Sequence, residues 1–169
     1  PLYDSRSAAE LMAIAAGLLE RDEIRRAVDS LLRTTGRPPR GWMVRSFPTV
    51  HTRELLVEHG GFRYDSDAYN DEIPYYAEAL GKPFLVVPYT KVHNDVRYLI
   101  APTYATPRHF AENLRLSLGY LLDEARNGGA RLMTVGLHAR WSGQPGRATA
   151  VRDFIEYALA QDGVRFMRR

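Results

Sequence analysis

Met133-Thr134-Val135-Gly136-Leu137-His138-Ala139-Arg140-Trp141-Ser142-Gly143-Gln144-Pro145-Gly146-Arg147 is the stretch of sequence from which we predict the fold. The apolar run at residues 131–137 predicts a buried β-strand, followed by a Gly- and Pro-rich loop and then a helix. In α/β folds, ligands bind in the loop beyond the carboxyl end of a parallel strand. His138 stands at that point, where a histidine can carry a proton near neutral pH. Position alone equally allows a histidine that only hydrogen-bonds its neighbours.

The composition limits the classes of protein to which the chain can belong. With 169 residues, 45% of them hydrophobic, we expect one folded domain with a real core. The absence of cysteine excludes disulfides, thiolate metal sites and cysteine nucleophiles, and it fits a cytoplasmic location. The net charge is +3, and the arginines alternate with acids, so nucleic acid is not an expected partner. No apolar run approaches the roughly 20 residues of a membrane span, so we expect no membrane partner.

Short apolar segments alternate with helical patterns along the chain. Strands are predicted at residues 41–45, 62–65, 84–89, 131–137 and 164–167, and helices at about 52–58, 107–127 and 148–160. This alternation predicts an α/β fold with about five parallel strands and flanking helices. A helical pattern precedes them, from a capping box at Ser7 to a C-cap at Gly36, with a kink or a break expected after Gly17. Its first part, Ser7 to Leu19, is Ala-rich and apolar on too many sides for an exposed helix.

Three predicted strands end on ionisable side chains, those of Arg45, Asp65 and His138. If the sheet is parallel, we expect all three at one edge, as in a barrel active site. A carboxylate beside His138 would hold its tautomer and favour the cation, which makes a usable general acid. Arg45 could bind a carboxylate or an oxyanion. A purely structural ion pair between Arg45 and Asp65 explains these two residues equally well.

Neither the histidines nor the acidic loop has the spacing of a metal site. The five histidines form no HxxxH or HExxH pair, and loop 64–72 lacks the central Gly and final Glu of a calcium loop. The segment Asn94-Asp95-Val96-Arg97 is compact and polar between tyrosines, which suits a clamp for a small polar ligand. A hydrogen-bonded turn is the equal alternative for that segment.

Three long motifs occur in an order that resembles a known family. They are Tyr64-Asp65-Ser66-Asp67-Ala68-Tyr69-Asn70-Asp71 within segment 60–76, Asn94-Asp95-Val96-Arg97-Tyr98, and Val135-Gly136-Leu137-His138 continuing to Arg147. Together they resemble the polysaccharide deacetylase (NodB-like) superfamily, and within it the allantoinase-type cyclic-amide hydrolases. The resemblance covers residues 23–169 of a predicted single domain, 1–169. Residues 1–22 form an atypical helical lead.

The resemblance implies a partial (β/α) barrel and hydrolysis of a non-peptide C–N bond in a small polar amide or ureide. It implies that His138 is the general acid on the leaving nitrogen, that Asp65 orients and tunes it, and that Arg45 pairs with the general base. It also implies a set of pocket and substrate contacts: Leu137, Asn94, Asp95, Arg97 and Trp141.

The resemblance extends only to the C-terminal half of such an enzyme. The superfamily's Asp-Asp base motif and its HxxxH metal motif lie in an N-terminal half that has no counterpart here. We therefore expect the isolated chain to be inactive, to need a homo-oligomer or a chain carrying the other half, and to use zinc only with that half. The alternative is a catalytically inactive binding or assembly module that retains the rim of the pocket.

Overall fold

The computed structural model describes residues 8–44, 47–100 and 103–167. They form a mixed α/β fold with four strands, five α-helices and one 3-10 helix. The strands are β1 (Gly41–Trp42), β2 (Tyr64–Asp65), β3 (Tyr75–Ala79) and β4 (Lys82–Val86). The helices are α1 (Ala8–Thr35), α2 (Thr52–His59), the 3-10 helix (Asp95–Tyr98), α3 (Pro107–Gly128), α4 (Ala139–Ser142) and α5 (Pro145–Leu159).

The chain divides into two compact units. Unit 1 is Pro1–Ala68 with Tyr75–Val87, and unit 2 is Tyr69–Pro74 with Pro88–Arg169. The whole sheet lies in unit 1, in the order β1-β2-β4-β3. Strands β1, β2 and β4 run parallel, and Trp42 pairs with Asp65, which pairs with Val86. The carboxyl ends of these three strands therefore coincide in register.

Strand β3 is antiparallel to β4 and is joined to it by the tight turn at Leu80-Gly81. Both turn residues have positive φ, +52° at Leu80 and +70° at Gly81. Two-residue hairpin turns of this kind usually carry Asn-Gly or Asp-Gly, because a bulky side chain is strained in the left-handed region. Leu80 hides the turn signal, which is why sequence analysis predicted no strand at residues 75–79.

The core of unit 1 lies between α1, α2 and the sheet. Its buried side chains are Ile24, Leu55, Leu56 and Phe84. Helix α1 is held to the segment around α2 by Glu20, which accepts hydrogen bonds from Thr49 and Thr52, both at 2.5 Å. The first half of α1 also exposes large apolar side chains: Met12, Leu18 and Leu19 are 67%, 58% and 71% exposed.

The core of unit 2 lies between α3 and α5. Helix α3 begins at the N-cap Thr106, whose hydroxyl accepts from the amide of His109, with Pro107 at the first helical position. Four-residue spacing places Phe110, Leu114 and Leu118 on one buried face, against Phe154 and Ala158 of α5. Met133 and Val135 pack against the same cluster.

The predicted α/β class and the three main helices are confirmed, whereas the predicted set of about five parallel strands is not confirmed for the described residues. Four strands form, and three of them are parallel. Residues 131–137 make only an isolated bridge at Gly136, and residues 164–167 form no strand. The amides of Leu132 and Gly136 donate to the loop carbonyls of Glu72 and His93, so no continuous ladder develops.

The predicted helical pattern up to Gly36 forms a single helix, because α1 continues without the expected break through Thr35. Its predicted cap, Ser7, lies outside the described residues. Within the part of the chain that the structure describes, no helix combines the length and apolarity needed to cross a bilayer. The cytoplasmic location and the single-domain organisation stay predictions.

Candidate active site

In unit 2, two loop segments come together at one parallel bridge between Asn94 and Gly136. The amide of Asp95 donates to the Gly136 carbonyl, and the amide of Gly136 donates to the His93 carbonyl, both at 3.0 Å. These two bonds fix the start of the 3-10 helix against the segment that leads into His138. Side chains at positions 95 and 138 can therefore meet although 43 positions separate them.

Gly136 makes this close approach possible. A Cβ built at this position would collide with the hydroxyl of Tyr89 and the side-chain amide of Asn94. Those two groups are bonded to each other, with the Asn94 Nδ2 donating to the Tyr89 Oη at 2.5 Å. The side-chain oxygen of Asn94 accepts from the amide of Val96 and caps the 3-10 helix. Both polar atoms of the Asn94 side chain are therefore bonded within the loop, and Asn94 helps to fix the shape of that loop.

The centre of the site is the pair formed by Asp95 and His138. Asp95 is fully buried, and its Oδ1 lies 2.6 Å from Nδ1 of His138. Its Oδ2 accepts from the His138 amide at 2.8 Å and from the Ser142 hydroxyl at 2.6 Å. A buried carboxylate needs such donors, because an unpaired charge would be costly to bury. The side chain of His138 stays 42% exposed.

This geometry selects one arrangement of protons on His138. A carboxylate only accepts hydrogen bonds, so Nδ1 of His138 carries hydrogen and donates to Asp95. Nε2 is then the nitrogen that takes up or releases a proton. An imidazole held by a buried acid and open to solvent on its other side has the parts of a general acid–base group.

Trp141 packs against the imidazole of His138, and Leu137 precedes His138 in the chain. The indole of Trp141 lies 4.3 Å from the His138 ring, centroid to centroid, at an interplanar angle of 47°. The guanidinium of Arg140 lies 4.5 Å from the indole centroid. Leu137 is 47% exposed beside His138 in the chain. The predicted pocket-lining pair Leu137 and Trp141 is therefore near the candidate acid, although their contact with substrate stays a prediction.

Two other predicted substrate contacts, Asp95 and Arg97, are engaged within the protein. Asp95 has no exposed surface and both of its oxygens are occupied, so its position suits holding His138 rather than touching a ligand. Arg97 is half-buried and hydrogen-bonds the hydroxyl of Tyr104. Burial of that phenol raises the pKa of Tyr104, while Arg97 acts in the opposite direction.

Asp65 ends β2 as predicted, but the structure gives its carboxylate another partner than His138. It is 1% exposed, and its Oδ2 accepts from Nε of Arg53 at 2.7 Å. Its Oδ1 accepts from the Asp67 amide. The hydrogen bond from Arg53 to Asp65 raises the pKa of the Arg53 guanidinium. The carboxylate bonded to His138 is that of Asp95, and the catalytic role expected for Asp65 stays a prediction.

Asp67 adds a second buried acid to the end of β2. Its Oδ1 accepts from the Val44 amide at 2.8 Å, while its Oδ2 is buried with no hydrogen-bond partner among the described residues. Burial is the main cause that raises the pKa of the Asp67 carboxyl. Arg45, which follows Val44, lies outside the described residues. Its place beside Asp65 and His138 at one edge stays a prediction.

The described residues do not fit a metal ion. Over 8–44, 47–100 and 103–167, no three His, Cys, Asp or Glu side chains cluster closely enough to hold one. The acid at His138 is a single carboxylate, and the described histidines have no paired spacing. We therefore derive no chemical step through zinc from this chain.

Sequence reasoning missed the pairing of Asp95 with His138 and did not single out Ser142. Asp95 was placed among the substrate contacts because it lies in a polar cluster between tyrosines. One signal was available for Ser142: four residues separate it from His138, which is one helical turn. No local pattern relates position 95 to position 138, so the pairing needed the fold.

The buried histidine at position 93 predicts how the stability of the protein depends on pH. His93 is 5% exposed, its Nδ1 has no partner within the described residues, and burial lowers its pKa. Below about pH 6.5 the unfolded chain therefore binds more protons than the folded one, and stability falls as pH decreases. We expect the free energy of unfolding in urea to decline less between pH 7 and pH 5 in His93→Gln than in the parent. The exposed His109→Gln should keep the parent slope, and equal slopes in all three would contradict this expectation.

The fold and the motifs can now be compared with known proteins. No protein-family model matches the chain. Its similarity is to the class of polysaccharide deacetylases: the chain is 30% identical to a protein of Schizosaccharomyces pombe assigned to that class, covering 86% of this chain and 50% of that protein. A crystal structure from Pseudomonas aeruginosa, assigned likewise, superimposes with a TM-score of 0.80 at 36% identity, covering 89% of this chain and 50% of the other.

A particular solved relative is Puue allantoinase. Its crystal structure gives a TM-score of 0.81 at 35% identity, over 99% of this chain and 52% of that chain. The predicted resemblance to polysaccharide deacetylases and allantoinase is therefore confirmed. The chain spans about half the length of the relatives it matches.

Proposed function

We propose that this chain supplies the general acid of a hydrolase that cleaves a non-peptide C–N bond in a small polar amide or ureide. The observation that carries the proposal is the pair of buried Asp95 and partly exposed His138. Hydrolysis of an amide requires a proton on the departing nitrogen, and a held imidazole can deliver it from Nε2. The similarity to polysaccharide deacetylases and an allantoinase supports this class of reaction.

We assign each candidate site residue one role in this reaction. His138 protonates the leaving nitrogen, and Asp95 holds the ring so that Nε2 meets the substrate. Leu137, Trp141, Asn94 and Arg97 shape or line the pocket. Asp65 keeps a proposed catalytic role, with its charge balanced by Arg53, and Arg45 would pair with the general base.

We further propose that the base comes from the remaining half of a NodB-like enzyme, on another chain or another part of a longer one. Residues 23–169 would then be the half domain that completes a partial barrel, behind the lead 1–22. The exposed apolar side chains of α1, among them Met12, Leu18 and Leu19, support association through that helix with the complementing half or a second copy.

A complementation assay tests the proposed function. The 169-residue polypeptide is assayed on allantoin and on N-acetylated sugar oligomers, alone and with a chain carrying the part of Puue allantoinase that it does not cover. We expect negligible turnover by the polypeptide alone and measurable turnover by the mixture. Turnover by the purified polypeptide alone that survives His138→Ala would overturn the proposal.

The same assay separates the proposal from a catalytically inactive module. Such a module would join the complementing chain and bind the amide, but the mixture would not turn it over. Binding by calorimetry with no hydrolysis, unchanged by His138→Ala, is the result that favours the module.

A further inference from the structure

The hydroxyl of Ser142 reaches the same buried carboxylate that holds His138. Its Oγ lies 2.6 Å from Oδ2 of Asp95, and Ser142 itself is 6% exposed. We infer that Ser142 is a positioning residue, which locks the Asp95 carboxylate so that the other oxygen fixes the His138 ring. The consequence for catalysis rests on the proposed function, whereas the positioning itself does not.

Helix α4 places the hydroxyl by connecting it to the backbone of His138. The amides of Trp141 and Ser142 both donate to the His138 carbonyl at 2.9 Å. The backbone amide of His138 in turn donates to Oδ2 of Asp95 at 2.8 Å. Oδ2 therefore receives one bond from each end of a single helical turn, and Oδ1 is left for Nδ1 of His138.

Gly143 allows this turn to close. Its amide donates to the Ala139 carbonyl at 2.9 Å, and a Cβ at this position would collide with that carbonyl oxygen. A side chain at 143 would therefore open the turn and draw Ser142 away from Asp95. One glycine of the Gly-rich loop predicted after His138, Gly143, is therefore required because a larger residue would not fit in this turn.

Without the serine hydroxyl, Oδ2 of Asp95 would keep only the backbone amide. The buried carboxylate would lose a charge-assisted donor and would gain freedom to rotate. Rotation lengthens the bond from Oδ1 to Nδ1 of His138 and lets the imidazole leave its orientation. The side chain of Ser142 acts on the His138 ring through Asp95, since its hydroxyl proton is used on Oδ2.

Proton NMR of the full chain with nitrogen-15 histidine tests this inference without any substrate. In the parent, we expect the Nδ1 proton of His138, assigned by its loss in His138→Ala, to exchange slowly with water. Loss of one charge-assisted donor should speed that exchange in Ser142→Ala by about tenfold or more. Ser142→Thr keeps a hydroxyl and should restore slow exchange. Ser117→Ala, which removes a half-buried hydroxyl from α3, should leave it unchanged.

An unchanged exchange rate in Ser142→Ala would overturn the inference, as would equally fast exchange in Ser142→Ala and Ser117→Ala. If Ser142→Ala does not fold by circular dichroism, Ser142→Cys fills the site with a poor donor and gives the same comparison. In the complemented enzyme the expected change is about a tenfold loss in kcat with KM retained, as for a group acting only on the reacting centre. A complemented enzyme without turnover would remove the proposed function and leave the NMR result standing.

Discussion

His138→Ala is expected to lower the turnover of the complemented hydrolase by about 10²–10⁴-fold, the usual contribution of one general acid. Nε2 of His138 is the atom that we propose protonates the leaving nitrogen, and alanine leaves nothing in its place. The measurement is kcat/KM for the mixture on the substrate that it hydrolyses best. Because alanine also removes the Nδ1 donor to the fully buried Asp95 carboxylate, we expect thermal stability to fall as well, so kcat/KM is measured below the unfolding temperature of the variant.

Asp95→Asn extends this first prediction to the partner of the ring. An amide can present an N–H to Nδ1 of His138. Nδ1 then has to accept, which favours the opposite tautomer, with the hydrogen on Nε2 and none on Nδ1. We expect a loss on the order of 10²-fold, mainly in kcat. Asp123→Asn, on the exposed face of α3, is the matched control and should keep full activity. Full activity in Asp95→Asn would show that the ring does not depend on this carboxylate.

The second large effect is expected on stability, at the ion pair between Arg53 and Asp65. Arg53→Ala leaves a carboxylate that is 1% exposed without its cation. Removing one partner of a fully buried pair costs about 3–5 kcal/mol, and the one-third exposure of Arg53 lowers our expectation to about 2–3 kcal/mol. The measurement is the free energy of unfolding in urea.

Arg21→Ala provides the comparison for this prediction. Arg21 pairs with Glu58 at 2.7 Å, but both side chains are about half exposed, so we expect a loss of at most about 1 kcal/mol. The double variant Arg53→Met with Asp65→Leu removes both charges and should be more stable than Arg53→Ala. A loss in Arg53→Ala no larger than that in Arg21→Ala would mean that solvent reaches Asp65 and that the pair is dispensable.

The three main helices were predictable from local patterns, of which that of α3 is the most complete. Thr106 and Pro107 mark the start of α3, and the spacing of Phe110, Leu114 and Leu118 marks its buried face. The strands were harder, because two residues suffice for β1 and for β2, and their pairing depends on distant neighbours. The segment at residues 131–137 is apolar because Met133 and Val135 pack against the core between α3 and α5. This packing does not require the segment to pair with a β-strand.

The sequence predicts the candidate acid, His138, but not the residues that hold its ring in place. His138 follows an apolar segment and precedes a Gly-rich loop, and both features are local. In the sequence Asp65 ends a predicted strand, whereas Asp95 lies in a polar segment, so no local pattern assigns Asp95 to His138. What brings these two together is the bridge between Asn94 and Gly136, a contact across 42 positions that only the folded chain reveals.

The two tryptophans of the chain give each unit its own fluorophore. Trp42 packs edge-on against Phe62 in unit 1, and its buried indole N–H has no acceptor among the described residues, so Trp42→Phe removes an unsatisfied donor. When tryptophan alone is excited, the emission that remains comes from Trp141, which lies against the His138 ring. A protonated imidazole quenches indole fluorescence by accepting an electron from the excited state, whereas the neutral ring does so weakly. The intensity of this single emitter would then follow the charge on His138, an optical titration that requires no label, substrate or complementing chain.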